Sequence, residues 1–195
     1  MNDELLNPSS FAVSTAYELK HGRTLLDLGC GNGRDSLYFL SLGMKVTGID
    51  ASDTAIQKLI TTAKDNNNAK FICGDFVTNR EIYGVQYDYI YSRFTLHAIN
   101  AMQEKELLHN IKHALKPDGK IFIEARTIHD DIFGKGQETD RNTFIYNGHF
   151  RRFIDPDELT EEMKFMGYEI LSLEEGRGFS KTDTSDPVLL RLTAR

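Results

Sequence analysis

The segment that most constrains this chain is Leu25-Leu26-Asp27-Leu28-Gly29-Cys30-Gly31-Asn32-Gly33-Arg34-Asp35-Ser36, an apolar strand pattern that passes through alternating glycines into a helical pattern. Glycine adopts positive φ at little cost and lets a ligand approach the backbone closely. In an open α/β sheet, a turn between the carboxyl end of a strand and a following helix is where ligands bind. The dinucleotide form of this turn is Gly-x-Gly-x-x-Gly, with pyrophosphate on the helix N-terminus. Here the glycines fall at Gly29, Gly31 and Gly33, and Arg34 puts a long side chain where the third dinucleotide glycine would stand. That substitution argues against an NAD-binding oxidoreductase.

The pattern around this turn predicts an α/β fold. Strands are expected over 24–28, 45–50, 69–73, 87–91 and 120–125, the last introduced by the turn Pro117-Asp118-Gly119. Helices are expected over 35–42, with Leu37, Phe39 and Leu40 facing in, over 55–64 and over 104–115. Strands alternating with helices of this length imply right-handed βαβ units and a mostly parallel, doubly wound sheet. From about 127 to 148 the chain is rich in Gly, Asp, Asn, Thr and His and shows no sustained period, so a loop is expected. A helix over 156–166 follows, capped by Asp155 or Asp157 and ended by Gly167, and then strands over 168–173 and 187–193. At 195 residues, one domain over 1–195 is expected, with 127–154 as a substrate-side loop. The segment 1–23, containing Pro8-Ser9-Ser10-Phe11-Ala12, is either a lid or an ordinary docking helix.

Charge and cysteine usage narrow the partners. The chain carries 23 Lys and Arg against 29 Asp and Glu, a net charge of -6, so no large basic field is available to grip nucleic acid. Cys30 and Cys73 form no Cys-x-x-Cys pair, and both close apolar runs, which reads as buried free thiols in a reducing compartment. The start Met1-Asn2-Asp3-Glu4 lacks a cationic segment before an apolar core. No run approaches the ~18 apolar residues of a membrane span. A cytoplasmic protein without membrane contact, monomeric or homodimeric, is expected.

Two acids at strand ends sharpen the ligand. Asp50 closes the second strand, 19 positions after Gly31, where a carboxylate accepts both hydroxyls of a ribose. Asp75 follows the third strand, where it can accept from an adenine amino group while Phe76 packs on the base. Either acid could instead be a cap or loop carboxylate.

With these residues in place, the chain resembles the class I S-adenosylmethionine-dependent methyltransferases. The resemblance covers 24–125 and rests on Asp27-Leu28-Gly29-Cys30-Gly31-Asn32-Gly33, Asp50, Gly74-Asp75 and Leu115-Lys116-Pro117-Asp118-Gly119. The string Gly29-Cys30-Gly31-Asn32-Gly33-Arg34-Asp35-Ser36-Leu37-Tyr38 is similar to the small-molecule branch with tellurite-resistance and thiopurine methyltransferases. Gly148-His149-Phe150-Arg151-Arg152-Phe153-Ile154 and Asp186-Pro187-Val188-Leu189-Leu190-Arg191 are more similar to methyltransferases of bacterial surface-polysaccharide biosynthesis. The resemblance implies a Rossmann-like seven-stranded sheet whose last two strands are an antiparallel pair, with S-adenosyl-L-methionine as cofactor. It places Gly29, Gly31 and Gly33 along the methionine part, with Asp27 behind the amino group, and counts Cys30 and Ala51 among the cofactor contacts. Asp50 falls at the ribose, Asp75 and Phe76 at the adenine, and Ser92 and Arg93 beside the methionine. Arg34 reaches the cofactor carboxylate, a substrate anion, or only solvent.

A sulfonium carries its own leaving group, so a protein using one has to align the nucleophile and exclude water. A hydroxyl acceptor also gains from a general base, and histidine suits neutral pH. His97 follows the fourth strand, His129 the fifth, and His149 precedes the last helix; His97 and His149 are the catalytic candidates. In His129-Asp130-Asp131 neighbouring side chains diverge, so the triplet is no ready chelate, and no metal is expected. Arg126, Arg151 and Arg152, with Tyr146 and His129, are candidates to bind an anionic or sugar-like small substrate. Arg151 and Arg152 could equally balance the acids of 155–162. The expected reaction is methylation of an oxygen. A detoxifying transfer to a thiol or metalloid, and a cofactor-binding module without catalysis, remain alternatives.

Overall fold

The computed structural model describes residues 7–195. Residues 1–6, which hold the acidic start and the first part of the expected lid, lie outside the described residues. The elements in order are α1 (Ser10–Ala16), β1 (Thr24–Leu28), α2 (Arg34–Ser41), β2 (Lys45–Asp50), α3 (Asp53–Thr62), β3 (Ala69–Cys73), α4 (Arg80–Tyr83), β4 (Tyr87–Arg93), a 3-10 turn (Leu96–Ala98), α5 (Ala101–Ala114), β5 (Leu115–Arg126), β6 (Gln137–Asp140), β7 (Thr143–Tyr146), β8 (His149–Arg152), α6 (Pro156–Phe165), β9 (Ile170–Gly176) and β10 (Leu189–Ala194). The main sheet has seven strands in the order β3-β2-β1-β4-β5-β10-β9. Its first five strands are parallel, and β10 runs antiparallel between β5 and β9. This is the doubly wound sheet with an antiparallel closing pair.

Alternation along the strands builds two cores. Leu25, Tyr89, Tyr91 and Phe122 face α1, α2 and α3, where they meet Phe11, Phe39, Ile56 and Leu59. Leu26, Leu28, Ile90, Ile121 and Ile123 face the other way, onto Ile82, Leu107, Ile111, Leu159 and Met163 of α4, α5 and α6. Each fully buried Leu, Ile or Phe contributes roughly 1.5–3 kcal/mol, so both layers hold the sheet rigid. β1 lies between β2 and β4, and the strand order reverses direction there. That switch point opens a crevice beyond the carboxyl ends of β1 and β4.

Several elements differ from expectation for identifiable reasons. Residues 137–152 are not a loop but a three-stranded antiparallel sheet, β6-β7-β8. Its strands have four residues each, too short for their period to show. β5 starts at Leu115 rather than at 120, because Tyr87 pairs with Leu115 and Tyr89 with Lys120 while the intervening turn bulges out. α5 starts at Ala101 because Asn100 and Gln103 close a capping box. Asp155 caps α6 through the amides of Asp157 and Glu158. Cys73 is exposed rather than buried, because β3 is the edge strand. In the N-terminal segment, α1 docks on α2 with Phe11, Ala12 and Thr15 buried.

Candidate active site

The glycine turn at the end of β1 is fixed by its own backbone. Gly29, Gly31 and Gly33 have φ of 65°, 54° and 76°, the left-handed region that favours glycine. Their surroundings separate their tasks. A Cβ at Gly29 would meet the Thr95 methyl at 2.6 Å, and one at Gly33 would meet the buried Leu59 at 2.2 Å. A Cβ at Gly31 would meet no atom of the described residues within 4 Å. The space over Gly31 is a cradle that those residues leave open.

The acids frame that space unequally. Asp50 accepts the Gly31 amide on one oxygen (2.8 Å) and the Ser52 amide on the other (2.9 Å). Each oxygen keeps a lone pair for a further donor, so the carboxylate is oriented but not saturated. Ala51 beside it is exposed. Asp27 is buried at the end of β1 and accepts the Ser36 hydroxyl at 2.5 Å. Burial pushes its pKa up to about 8, aided by the charges of Asp35 and Asp50 and opposed by the Ser36 bond. Cys30 is half-buried, and burial raises its thiol pKa. Asp75 is exposed and accepts the Val77 amide at 2.7 Å, which is the loop-carboxylate arrangement. Phe76 is half-buried beside Gly29. Arg34 opens α2 with its Nε 3.7 Å from Asp35 and much of its side chain in solvent.

The opposite wall is built from the ends of β4 and β5. Ser92 is buried and shares a hydrogen bond with Thr95. Phe94 then takes φ of 59°, rare for a bulky residue, and this bend starts the 3-10 turn that carries His97. The Phe94 and His97 rings lie 5.5 Å apart. His97 Nδ1 is buried and has no hydrogen-bond partner among the described residues. Its pKa falls to about 4, first through burial and then through the positive charges of Arg126, Arg151 and Arg93. His97 is therefore neutral near pH 7.

The arginines divide into two groups. Arg93 donates to the fully buried Glu124 at 2.9 Å, and Arg191 donates to the other oxygen of the same carboxylate at 2.8 Å. Arg126 donates to Asp130 at 2.8 Å while its charge reaches His97. Neighbours on a strand point to opposite faces. Accordingly Arg151 acts on His97, whereas Arg152 is buried against Glu104 and donates to the Ile99 carbonyl at 3.1 Å. Arg152 thus anchors the segment that bears His97 instead of offering its guanidinium to a ligand. His129 is exposed and bonded through Nδ1 to Glu175 at 2.9 Å. His149 is exposed and pairs with the half-buried Tyr146 at the closed end of the β7–β8 hairpin. The positive charges of Arg93, Arg126 and Arg151 therefore all bear on His97, whereas His129 and Arg152 are committed elsewhere.

Residues that sequence reasoning passed over complete the site. Buried Asp35 accepts the amide and hydroxyl of Ser9 (2.7 and 2.8 Å) and the Tyr91 hydroxyl (2.9 Å), tying the N-terminal segment to β4. Glu124 and Arg191 hold Arg93 from the next two strands. Only an acid inside the otherwise apolar run Ile121-Phe122-Ile123-Glu124-Ala125 could have announced this.

A family model described as a methyltransferase domain matches residues 9–173. An uncharacterized methyltransferase, C750.03c, of Schizosaccharomyces pombe is 32% identical over 102 residues, which is 52% of this chain and 70% of that protein. The crystal structure of TehB from Haemophilus influenzae aligns with a TM-score of 0.73 and 26% identity, covering 94% of this chain and 60% of TehB. The 1,6-didemethyltoxoflavin-N1-methyltransferase of Burkholderia thailandensis, solved with 1,6-didemethyltoxoflavin and S-adenosylhomocysteine, aligns with a TM-score of 0.72 and 21% identity over 100% of this chain and 79% of that one.

Proposed function

The chain belongs to the methyltransferase-domain family and is an S-adenosylmethionine-dependent methyltransferase of class I; from that premise we propose that its acceptor is an anionic small molecule methylated at oxygen, with His97 as the base. A phosphorylated or carboxylated sugar or polyol, as used in surface polysaccharides, has the required chemistry. The observation that carries this reading is the half-buried imidazole of His97 in the 3-10 turn after β4, whose buried Nδ1 has no hydrogen-bond partner among the described residues and on which the positive charges of Arg126, Arg151 and Arg93 bear.

The open cradle over Gly31, the unsaturated carboxylate of Asp50 and the buried acid of Asp27 fit the cofactor. When bound, S-adenosylmethionine supplies a methyl group already attached to a sulfonium leaving group. Gly29, Cys30, Gly31, Gly33, Asp50, Ala51 and Ser92 would hold it, with Asp27 at the amino group and Phe76 and Asp75 at the base. Arg93, Arg126 and Arg151 orient an oxyanion of the acceptor, and His97 takes the proton of its hydroxyl. Docking an anion against these arginines opposes one cause of the depressed His97 pKa, so the imidazole becomes more basic as the acceptor arrives. The sheet β6-β7-β8, with Tyr146 and His149 at a hairpin end, forms the outer border of the acceptor side within a single domain.

The test incubates the protein with methyl-labelled S-adenosylmethionine and hydroxyl-bearing phosphates, carboxylates and thiols. Label is expected in a hydroxyl-bearing anion. His97→Gln should lower turnover about 100-fold and leave S-adenosylhomocysteine affinity within twofold of the unmodified protein. Label appearing only in thiols would overturn methylation at oxygen, and undiminished turnover would remove His97 as the base.

A further inference from the structure

At the same end of the sheet lies a cavity of about 280 Å³ whose walls come from segments far apart in sequence. The start of α1 and its cap contribute Ser10 and Ser9, the β9–β10 connection contributes Ser180 and Lys181, and α2 and β4 contribute Arg34 and Arg93. Among the described residues its lining has three cationic side chains and no carboxylate, in a chain whose net charge is -6.

The donors are held but not consumed. Arg93 spends Nε on Glu124 and one Nη on the Ser180 hydroxyl at 3.0 Å, and a guanidinium has five N–H groups. Ser180 accepts that bond, so its own hydroxyl proton stays free to be donated. Arg34 approaches Asp35 only through Nε, at 3.7 Å, and Asp35 is already engaged by Ser9 and Tyr91. Lys181 is exposed.

The two covering segments are clasped by one side chain. Arg191 binds buried Glu124, donates to Ser10 Oγ at 2.8 Å and to the Phe179 carbonyl at 3.1 Å, and its guanidinium carbon stands 5.2 and 4.4 Å from the ring centres of Phe11 and Phe179. Ser10 also donates to that carbonyl. The cavity is therefore built from a fixed frame, and Arg93 is common to it and to the charge field acting on His97.

We propose that this cavity is an oxyanion subsite for the methyl acceptor, in which Arg34, Arg93, Ser180 and Lys181 hold a carboxylate or phosphate group of that molecule. This deepens the acceptor reading above and rests on it. Four donors from three segments far apart in sequence recognise an oxyanion more tightly than one surface cation does. Lys181 and Ser180 then set which acceptors enter, while Arg191 positions the segments that carry them.

Titration calorimetry of the full chain with inorganic phosphate, with and without saturating S-adenosylhomocysteine, tests the subsite. Phosphate is expected to bind in both conditions. Lys181→Glu should weaken it by at least about tenfold, and Ser180→Ala/Lys181→Gln should also weaken it. Both variants should keep the melting temperature and S-adenosylhomocysteine affinity of the unmodified protein. Phosphate expelled by S-adenosylhomocysteine would assign the cavity to the cofactor's own carboxylate and overturn the proposal. Phosphate affinity unchanged in both variants, or no phosphate binding at all, would overturn it too. Failure of the unmodified chain to bind S-adenosylhomocysteine would instead count against the methyl-transfer reading.

Discussion

The two sides of the crevice are made in opposite ways. The side formed by the ends of β1 and β2 is local: one strand, one glycine turn and one acid 19 positions later create it, and Asp50 reaches Gly31 directly. The side formed by β4, β5 and the segments that close on them is assembled from distant parts. Ser9 meets Asp35, Arg93 and Arg191 share Glu124, and Arg152 meets Glu104. A local device serves a ligand of fixed structure. A device held by long-range ion pairs can change its ligand by changing single residues, which suits the side that meets the acceptor.

The largest expected effect separates structure from ligand contact within the local device. Gly33→Val should cost about 3–5 kcal/mol, from a strained left-handed backbone plus overpacking against Leu59. At Gly31 an added Cβ meets no atom of the described residues within 4 Å, so in Gly31→Val the backbone strain of about 1–2 kcal/mol dominates. It should still weaken S-adenosylhomocysteine binding more than the destabilisation of Gly33→Ala does. Urea melts and calorimetry on the three variants decide this. Gly31→Val with full affinity would mean that the open cradle is not the ligand's seat.

The same contrast explains what was legible in the sequence. The strand-turn-helix, Asp50 and the doubly wound sheet could be read because each depends on residues within about one βα unit. The pairing Asp35 with Ser9 spans 26 positions and Glu124 with Arg191 spans 67, distances at which side-chain pattern carries no signal. The sheet β6-β7-β8 was hidden for another reason. Most of β6 and β8 is exposed on both faces, so no alternation marks them. Arg151 and Arg152 looked equivalent as adjacent cations, and only the strand assignment, which sends them to opposite faces, tells them apart.

On the assembled side, Glu124→Gln should cost about 3 kcal/mol, because two half-buried guanidinium groups lose their shared, fully buried counter-charge. A urea midpoint unchanged from the unmodified protein would show that water, rather than Glu124, compensates the two arginines.

Buried titrating groups on the two sides bend the pH profile in opposite directions. His97 has a folded pKa of about 4 against its ordinary value of 6.5, so between these the unfolded chain binds the extra proton and stability rises with pH. Asp27 has a folded pKa of about 8 against 3.8, so the folded chain keeps a proton that the unfolded chain has released, and stability falls as pH rises through that window. Each limb has a slope of at most about 1.4 kcal/mol per pH unit. His97→Gln should flatten the rising contribution and Asp27→Asn the falling one, as read from urea unfolding between pH 4 and pH 8. Binding of S-adenosylhomocysteine near pH 7 should release a proton if its amino group faces Asp27, and calorimetry in buffers of different ionisation enthalpy measures it.

Smaller still is the effect of Asp50→Asn. The two amide bonds to Asp50 orient its side chain, and an amide in its place keeps one acceptor oxygen. S-adenosylhomocysteine affinity should fall by about 1–3 kcal/mol, the value of charge-assisted hydrogen bonds, with little change in melting temperature. Equal affinity would place the ribose contacts elsewhere in the crevice.

The smallest expected effect tests the border of the assembled side. His129 follows β5 as closely as His97 follows β4, yet its ring is exposed and turned onto Glu175 of β9. Glu175 raises its pKa, so the pair contributes while the imidazole is charged, at pH below about 6.5, and that contribution is lost as pH climbs past the raised value. Exposed ion pairs of this kind are worth under about 1 kcal/mol. His129→Ala should therefore lower stability slightly at pH 5, leave it unchanged at pH 8, and leave the acceptor KM alone. A KM that rises severalfold at both pH values would show that the acceptor extends past Arg126 to the outer face of β9, and that the border lies beyond His129.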